Sequence, residues 1–149
     1  MKTAIVGFGN DILGDDGIGI YLARDIAGEI NQDFIHCSMY GLGILSELVD
    51  YDRVFIIDSV VQENSEVGSV IFFTMDDFKN CRHLSSPHTT DFATGINFGR
   101  QSGLELPEEI HIYGVTVSNV EDFSESLTPI LKEKYPNIKK KIKADIEAK

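Results

Sequence analysis

A glycine-rich turn with three aspartates lies within the first 19 residues, and it constrains the fold more than any other stretch of the sequence. A short apolar run at residues 3–6 precedes the turn, and an amphipathic stretch from Ile18 to Ile30 follows it. A buried strand, a glycine-rich turn and a helix start in this order place a ligand at the carboxyl edge of an open α/β sheet. The pattern therefore predicts an α/β fold with a ligand site beside this turn.

The turn differs from the two common phosphate-binding motifs. Gly7 and Gly9 match the first two glycines of a dinucleotide fingerprint, but Ile12 stands at the third position. Three carboxylates would lie where a pyrophosphate binds and would repel it. A P-loop requires a Lys followed by Ser or Thr, and the turn has none. We therefore expect no nucleotide, and we expect a metal cation at this edge instead.

The composition limits the partners that the protein can have. Asp and Glu outnumber Lys and Arg by 24 to 13, which gives a formal net charge of -11. Nucleic acid and anionic membrane surfaces are not expected partners because they require clustered Lys and Arg, whereas cations and basic peptides suit this charge. The length of 149 residues suits a single domain, 1–149, expected to be a monomer or a weak oligomer.

The sequence also indicates a compartment. The two cysteines form no CxxC pair. No stretch reads as a signal peptide or as a membrane span, so we expect a cytoplasmic protein without membrane insertion.

Apolar runs that alternate with helical patterns predict a three-layer sandwich. Its sheet is expected to be twisted and mostly parallel, with about five strands and with helices on both faces. The predicted strands lie at residues 2–7, 34–37, 54–57, 67–74 and 110–115, and the predicted helices at residues 15–30, 44–49, 89–99 and 129–146. We expect Asp15 or Asp16 to cap the first helix and residues 75–87 to form a loop. Thr128 should cap the last helix, which Pro136 should kink or divide.

Three side chains that can bind a metal fall at the predicted carboxyl edge. Asp16 lies in the first turn, Asp58 follows the apolar run at residues 54–57, and His88 precedes a predicted helix. Two carboxylates and an imidazole can hold zinc or nickel and leave a coordination position open. Their separations of 42 and 30 residues match no known ligand spacing, so only the shared edge brings them together.

Each candidate residue also has a structural explanation. Asp16 suits a helix cap, Asp58 suits a loop start that binds backbone amides, and His88 suits an ordinary loop histidine. Asn10 either bonds the backbone of its own turn or orients a substrate carbonyl. Cys37, near the same edge, suits a metal ligand or a nucleophile, but we expect a small buried thiol.

Five short segments follow one another along almost the entire chain. They are Gly7-Phe8-Gly9-Asn10, Asp15-Asp16-Gly17-Ile18-Gly19, Ile57-Asp58, Ser86-Pro87-His88 and Leu127-Thr128-Pro129. In these segments and their order the sequence resembles the hydrogenase maturation endopeptidases, which remove the C-terminal extension from the large-subunit precursor of nickel-iron hydrogenases.

The resemblance implies that Asp16, Asp58 and His88 form the metal site and carry the catalysis, with Asn10 and Gly41 as substrate-binding residues. It also implies that the metal is the nickel already inserted into the precursor, so that the enzyme needs no resident ion. Zinc, cadmium or another divalent ion is expected to occupy the site in vitro. The expected mechanism is hydrolysis assisted by this nickel, which polarises the scissile carbonyl or activates a water. The alternative mechanism uses a carboxylate alone as the general base.

Two departures from the family pattern bear on the site. The family often has Asp-Gly-Gly after the second strand, where this sequence reads Cys37-Ser38-Met39-Tyr40-Gly41, and it often has Glu in place of Asp16. Two alternative functions stay open. One is a non-catalytic nickel-sensing chaperone or binding module for the precursor, and the other, suggested by Gly7 and Gly9, is a nucleotide-binding domain.

Overall fold

The computed structural model describes residues 1–37, 42–62, 64–80, 84–85, 87–118 and 123–149, with the main chain alone at residues 42, 78–80, 84–85 and 87–91. Within these residues, strands alternate with helices along the chain. The strands are β1 (Thr3–Phe8), β2 (Asp33–Cys37), β3 (Arg53–Gln62), β4 (Val70–Phe73), β5 (Leu84–Ser85) and β6 (Glu109–Thr116). The α-helices are α1 (Ile18–Ile30), α2 (Leu45–Leu48), α3 (Met75–Asn80), α4 (Pro87–Gln101) and α5 (Pro129–Glu147), and short 3-10 helices form at Gly14–Gly17 and Leu42–Ile44.

Five of the strands form one mostly parallel sheet in the order β2-β1-β3-β6-β4. Neighbouring strands from β2 to β6 are parallel, and β4 pairs antiparallel with β6. The two-residue β5 pairs antiparallel with the end of β3. The predicted fold, with about five mostly parallel strands, is confirmed, and β5 is an addition that the sequence pattern did not predict.

Two apolar clusters cover the two faces of the sheet. Adjacent residues of a strand point to opposite faces, so Ile5 and Phe55 belong to one cluster and their neighbours Val6 and Ile56 belong to the other. Side chains of α1 and α5 complete the first cluster, and side chains of α2 and α4 complete the second. The predicted three-layer sandwich is therefore confirmed. Within the residues described, none of the helices has the length and hydrophobicity needed to span a membrane.

Two glycines let the first turn and α1 approach the sheet closely. A Cβ atom on Gly19 would lie 2.3 Å from the carbonyl oxygen of Ile57 and 2.7 Å from that of Phe8. Gly9 has φ +138°, and a Cβ atom there would lie 2.1 Å from the carbonyl oxygen of Asp16. Any larger residue at either position would push the turn away from the carboxyl ends of β1 and β3.

The predicted cap of α1 was wrong, and the predicted loop at residues 75–87 was wrong where α3 and β5 form. Residues 81–83 and 86 of that loop lie outside the described residues. Asp15 and Asp16 lie in the 3-10 helix, and the N-cap of α1 is Gly17, which makes no side-chain bond. Part of the predicted loop forms α3, because Thr74 and Asp77 make a reciprocal capping box. The Thr74 N–H donates to Asp77 Oδ2 over 2.8 Å, and the Asp77 N–H donates to the Thr74 hydroxyl over 3.4 Å.

The last helix begins as predicted at Pro129, but Pro136 does not divide it. Helix α5 continues to Glu147 because its buried apolar stripe packs against the sheet, which offsets the hydrogen bond that proline cannot make. Thr128 occupies the N-cap position without a side-chain bond to the helix. Its hydroxyl donates to Asp15 instead, over 2.8 Å.

Candidate metal and active site

The candidate site lies where the sheet reverses its direction of growth. The chain passes from β1 to β2 on one side and then to β3 on the other side of β1. In open α/β sheets, ligands bind at the carboxyl ends of the two strands that flank such a switch point. The first turn, residues 9–17, leaves β1 at this point, and the end of β3 lies beside it.

Asp58 lies inside β3 and does not follow it, which corrects the sequence-based prediction. Pairing of β3 with β1 ends at Ile57, whereas pairing with β6 continues as far as Val60. Asp58 is therefore the first residue of β3 after its pairing with β1 ends. Its side chain is completely buried, and its Oδ1 atom accepts the N–H of Ser59 over 2.8 Å.

Asp16 lies in the 3-10 helix of the first turn and is partly exposed. Both of its carboxylate oxygens accept hydrogen bonds. Oδ2 accepts the backbone N–H of Asn10 over 2.9 Å, and Oδ1 accepts the hydroxyl of Ser59 over 2.8 Å. These two bonds fix the orientation of the carboxylate. Asp16 does not cap α1, whose N-cap is Gly17, so the capping explanation for Asp16 is wrong.

Ser59 joins the two candidate carboxylates and was missed from the sequence. Its N–H binds Asp58 and its hydroxyl binds Asp16, while the residue itself is 6% exposed. The two acids that sequence reasoning brought to one edge are therefore linked through one residue. A hydroxyl residue directly after an acid in an apolar run was the only signal, and it does not by itself reveal a contact with a turn 43 residues away.

Asp15 has different partners from its neighbour Asp16. It is 2% exposed, and its two oxygens accept the backbone N–H and the hydroxyl of Thr128 over 2.7 and 2.8 Å. These bonds attach the first turn to the start of α5. Asp15 therefore has a structural use that leaves Asp16 as the acid of the turn that faces β3.

Asn10 bonds the backbone of its own turn, one of the two uses expected for it. Its side-chain oxygen accepts the N–H of Ile12 over 3.1 Å, and its backbone carbonyl accepts the N–H of Leu13 over 3.1 Å. Its backbone N–H is the donor to Asp16. The backbone of Asn10 therefore contacts one candidate carboxylate, and a contact between its side chain and substrate stays a prediction.

His88 lies in the first turn of α4 and not in the loop before it. Two contacts bring this end of α4 to the carboxyl edge. Ser85 of the preceding β5 is paired with Val61 of β3. One turn after His88, the ring of Phe92 contacts the ring of Phe8 at the end of β1, with centroids 5.2 Å apart. The main chain at His88 thus approaches the same edge as Asp16 and Asp58.

The imidazole of His88 and all of Gly41 lie outside the described residues. Among the side chains that are described, no group of three or more His, Cys, Asp and Glu residues could hold a metal ion. Cys37 was expected to be buried, and it is half-buried against the apolar cluster of α2 and α4. Its carbonyl accepts the N–H of Gly9 over 3.3 Å, which helps to fix the first turn.

Comparison with protein families gives one matching model. The model HycI, described as hydrogenase maturation protease, matches residues 21–145. This range includes Asp58 and His88 and begins after Asp16. No curated protein is significantly similar in sequence.

Several solved structures share the fold. The NiFe hydrogenase maturation protease HybD from Thermococcus kodakarensis has a TM-score of 0.80 and 22% identity, and the match covers 100% of both chains. The hydrogenase maturating endopeptidase HybD from E. coli has a TM-score of 0.79 and 20% identity over 99% of this chain and 93% of that chain. The maturation protease HycI from Thermococcus kodakarensis KOD1 has a TM-score of 0.69 and 20% identity over 96% of this chain and 90% of that chain. At such identities these matches establish the fold.

Proposed function

The chain belongs to the hydrogenase maturation protease family, and we propose that it removes the C-terminal extension of a nickel-iron hydrogenase large-subunit precursor after nickel insertion. The observation that supports this proposal best is the pair of carboxylates at the switch point, with Ser59 hydrogen-bonded to both. Such a pair suits a divalent cation presented by a substrate. We propose that the reaction takes place in the cytoplasm, where the precursor is the partner.

In this proposal Asp16, Asp58 and His88 bind the nickel that the precursor carries, and the nickel polarises the scissile carbonyl or activates the attacking water. The hydrogen bonds from Ser59 and from the Asn10 N–H orient the carboxylate of Asp16 before the substrate arrives. Asn10 and Gly41 are the proposed substrate-binding residues.

The burial of the two acids suggests an order of events. Asp16 is partly exposed, whereas Asp58 is completely buried. A nickel ion can therefore contact Asp16 first, and it reaches Asp58 only when the residues that cover Asp58 move. Zinc or cadmium added in vitro is proposed to enter by the same route.

Metal analysis of the purified protein, together with cleavage assays on nickel-loaded and nickel-free precursor, tests this proposal. We expect little bound metal, cleavage of the loaded precursor, and no cleavage of the nickel-free form. A chelator should leave the loaded reaction intact when it cannot remove the inserted nickel. For substitutions of Asp16 or Asp58, the exposed Asp76 on α3 offers a matched control, since Asp76→Asn removes a carboxylate outside the candidate site.

Two results would contradict the proposal in different ways. Tightly held stoichiometric metal together with cleavage of nickel-free precursor would show an ordinary metalloprotease. A stable complex with loaded precursor that never leads to cleavage would show a non-catalytic binding module.

A further inference from the structure

Residues 123–128, here called the strap, lie across the first turn and are fixed to it by main-chain hydrogen bonds. The N–H of Gly14 donates to the carbonyl of Ser124 over 2.6 Å, and the N–H of Ser124 donates to the carbonyl of Ile12 over 2.8 Å. These bonds form a parallel bridge between Leu13 and Ser124. The two segments are thus joined side by side at this one bridged pair.

Two further contacts hold the strap in place. At its end, Thr128 donates two hydrogen bonds to the buried Asp15. In its middle, the hydroxyl of Tyr21 lies 3.1 Å from the carbonyl of Glu125 and 3.2 Å from the carbonyl of Asp11. Burial and, after it, the carboxylate of Asp11 raise the pKa of Tyr21, so this hydroxyl stays protonated as a donor. The strap is therefore attached to the first turn along its length.

This rigid pair of segments presents two large apolar side chains to solvent. Ile12 is 46% exposed and Phe123 is 79% exposed. Ile12 and Phe123 directly precede the two bridged residues, Leu13 and Ser124, so their main chains lie next to each other. We call this pair the Ile12–Phe123 surface. An exposed apolar pair on a fixed frame beside a candidate site is typical of a binding surface.

The sequence segments that contain the surface are acidic, and a nearby cation is Arg24, whose guanidinium lies 5.6 Å from the centroid of the Tyr21 ring. Residues 10–19 contain three Asp and no Lys or Arg, and residues 117–131 contain three Asp or Glu and no Lys or Arg. A partner of complementary charge must therefore bring Lys or Arg together with its apolar side chain. A symmetric contact between two copies would instead place the same acidic segments against each other, which disfavours self-association through this surface.

We propose that the Ile12–Phe123 surface docks the segment of the precursor next to the cleaved bond, and that this segment carries a large apolar side chain flanked by Lys or Arg. This inference rests on the proposed function, since it assigns part of the same substrate to a surface adjoining the carboxylate pair. The apolar side chain packs between Ile12 and Phe123, and the basic groups face the acidic segments. Docking here places the peptide alongside Asp16, which belongs to the same turn.

Binding of nickel-loaded precursor to the wild type and to surface variants tests the proposal. Phe123→Ser and Ile12→Ser remove one apolar side chain each, and Phe123→Leu keeps a large one. Phe98→Ser is the matched control because Phe98 is 57% exposed on α4 and carries no part of the surface. We expect Phe123→Ser to weaken binding about 10-fold to 100-fold, as expected for loss of a buried aromatic contact. The affinity of Phe123→Leu should stay within about twofold of the wild type because leucine keeps an apolar contact. The affinity of Phe98→Ser should stay within the same range because Phe98 lies outside the surface.

Cleavage kinetics and salt dependence give two further readouts. The loss in Phe123→Ser should appear in KM, with kcat at saturation retained, because the surface binds ground state and transition state alike. Binding by the wild type should weaken as salt rises, and Glu125→Gln should reduce this dependence because it removes one of the surrounding charges.

Three results would overturn the inference. Equal effects of Phe123→Ser and Phe98→Ser would show that the precursor does not use the surface. A change in the sedimentation of the protein alone on Phe123→Ser would show that a second copy covers the surface instead. Failure of the wild type to bind any precursor would overturn the inference together with the proposed function. If the wild type binds precursor without cutting it, the proposed function fails while the ratio between the variants still decides the inference.

Discussion

Two groups of aspartates accept similar hydrogen bonds in two regions of this molecule, and one of the groups lies at the carboxyl edge of the sheet. At the carboxyl edge, Asp58 accepts the N–H of the next residue in its own strand. Asp16 accepts the N–H of Asn10 from its own turn and the hydroxyl of Ser59 from β3, so Ser59 links the two acids. In the layer of α1 and α5, Asp25 accepts the hydroxyl of Tyr135, and Asp145 accepts the hydroxyl of Tyr113 over 2.7 Å.

The donors explain the difference between the regions. In the helix layer, each tyrosine reaches across from a different element, so the bond itself joins α1 to α5 or joins α5 to the sheet. At the edge, backbone amides and one serine orient the carboxylates and hold them in a fixed pair. The carboxylates of the helix layer lie away from the switch point, and their bonds hold elements together. Asp16 also joins the first turn to β3, but it lies at the switch point, where an oriented carboxylate is suited to receive a ligand. Asp15 belongs to the structural group although it adjoins Asp16, because it attaches α5 to the first turn.

The largest expected effect comes from Asp58→Asn. The asparagine keeps an oxygen for the N–H of Ser59 but removes the negative charge, so we expect cleavage of loaded precursor to fall by more than about 100-fold, beyond what partners of a metal ligand usually cost. Removal of one of two neighbouring negative charges should leave the free energy of unfolding unchanged or raise it.

Denaturant unfolding and cleavage assays of Asp58→Asn, with Asp145→Asn as the helix-layer control, measure both quantities. The control should lose stability while it retains cleavage, because its carboxylate binds Tyr113 and Lys149 away from the edge. A stability loss in Asp58→Asn above about 2 kcal/mol would place Asp58 with the structural aspartates and remove the distinction between the regions.

The next effect concerns Ser59. Ser59→Ala keeps the backbone bond to Asp58 but loses the hydroxyl bond to Asp16, so only the coupling between the two carboxylates changes. We expect the affinity for added Cd²⁺ or Ni²⁺ to fall about 10-fold to 100-fold, as for other partners that orient metal ligands. Ser59→Thr should restore most of the affinity, because it retains the hydroxyl. Calorimetric titration of the three proteins decides this, and equal affinities in all of them would show that Ser59 does not position the carboxylates.

Much of this edge could be predicted from the sequence, because local patterns specify strands and helix starts. The apolar runs located the main strands, and the parallel topology brought Asp16 and Asp58 to one edge without any ligand spacing. The end of β3 was misplaced because Asp58 interrupts the apolar run, although β3 continues as far as Gln62 against β6 and β5.

The missed features depend on contacts between residues distant in sequence. The bond between Asp15 and Thr128 spans 113 residues, so no local pattern could distinguish it from a helix cap. Pro136 lies inside an unbroken helix because tertiary packing outweighs a local preference. Ser59 could not be recognised before the two carboxylates were placed on either side of it.

A smaller effect should separate Asp15 from Asp16. Asp15→Asn keeps one acceptor for Thr128 and loses the charge, so we expect a loss of about 1.5 kcal/mol in the free energy of unfolding. Cleavage should be retained because the carboxylate of Asp16 is unchanged. A double-mutant cycle with Thr128→Val measures the coupling, which should account for most of the loss. Additive effects of the two substitutions would contradict a direct structural bond.

The smallest expected effect belongs to the helix layer and appears at high pH. Burial and, after it, the hydrogen bond to Asp25 raise the pKa of Tyr135 above its ordinary value near 10. The protonated hydroxyl is therefore favoured in the folded protein. Its stabilisation is fully present below pH 10 and is lost as the pH rises through the folded pKa. We expect Tyr135→Phe to cost about 0.5 to 1.5 kcal/mol at pH 8, as for one hydrogen bond, and the cost to shrink above pH 10. Urea unfolding between pH 8 and pH 11 measures this difference.

Asp58→Asn, in the other region, is the control. Its free energy of unfolding should follow the wild-type pH profile in the same range because it leaves Tyr135 in place. A cost of Tyr135→Phe that stays constant across this range would show that the tyrosine–aspartate bond does not hold α5 against α1.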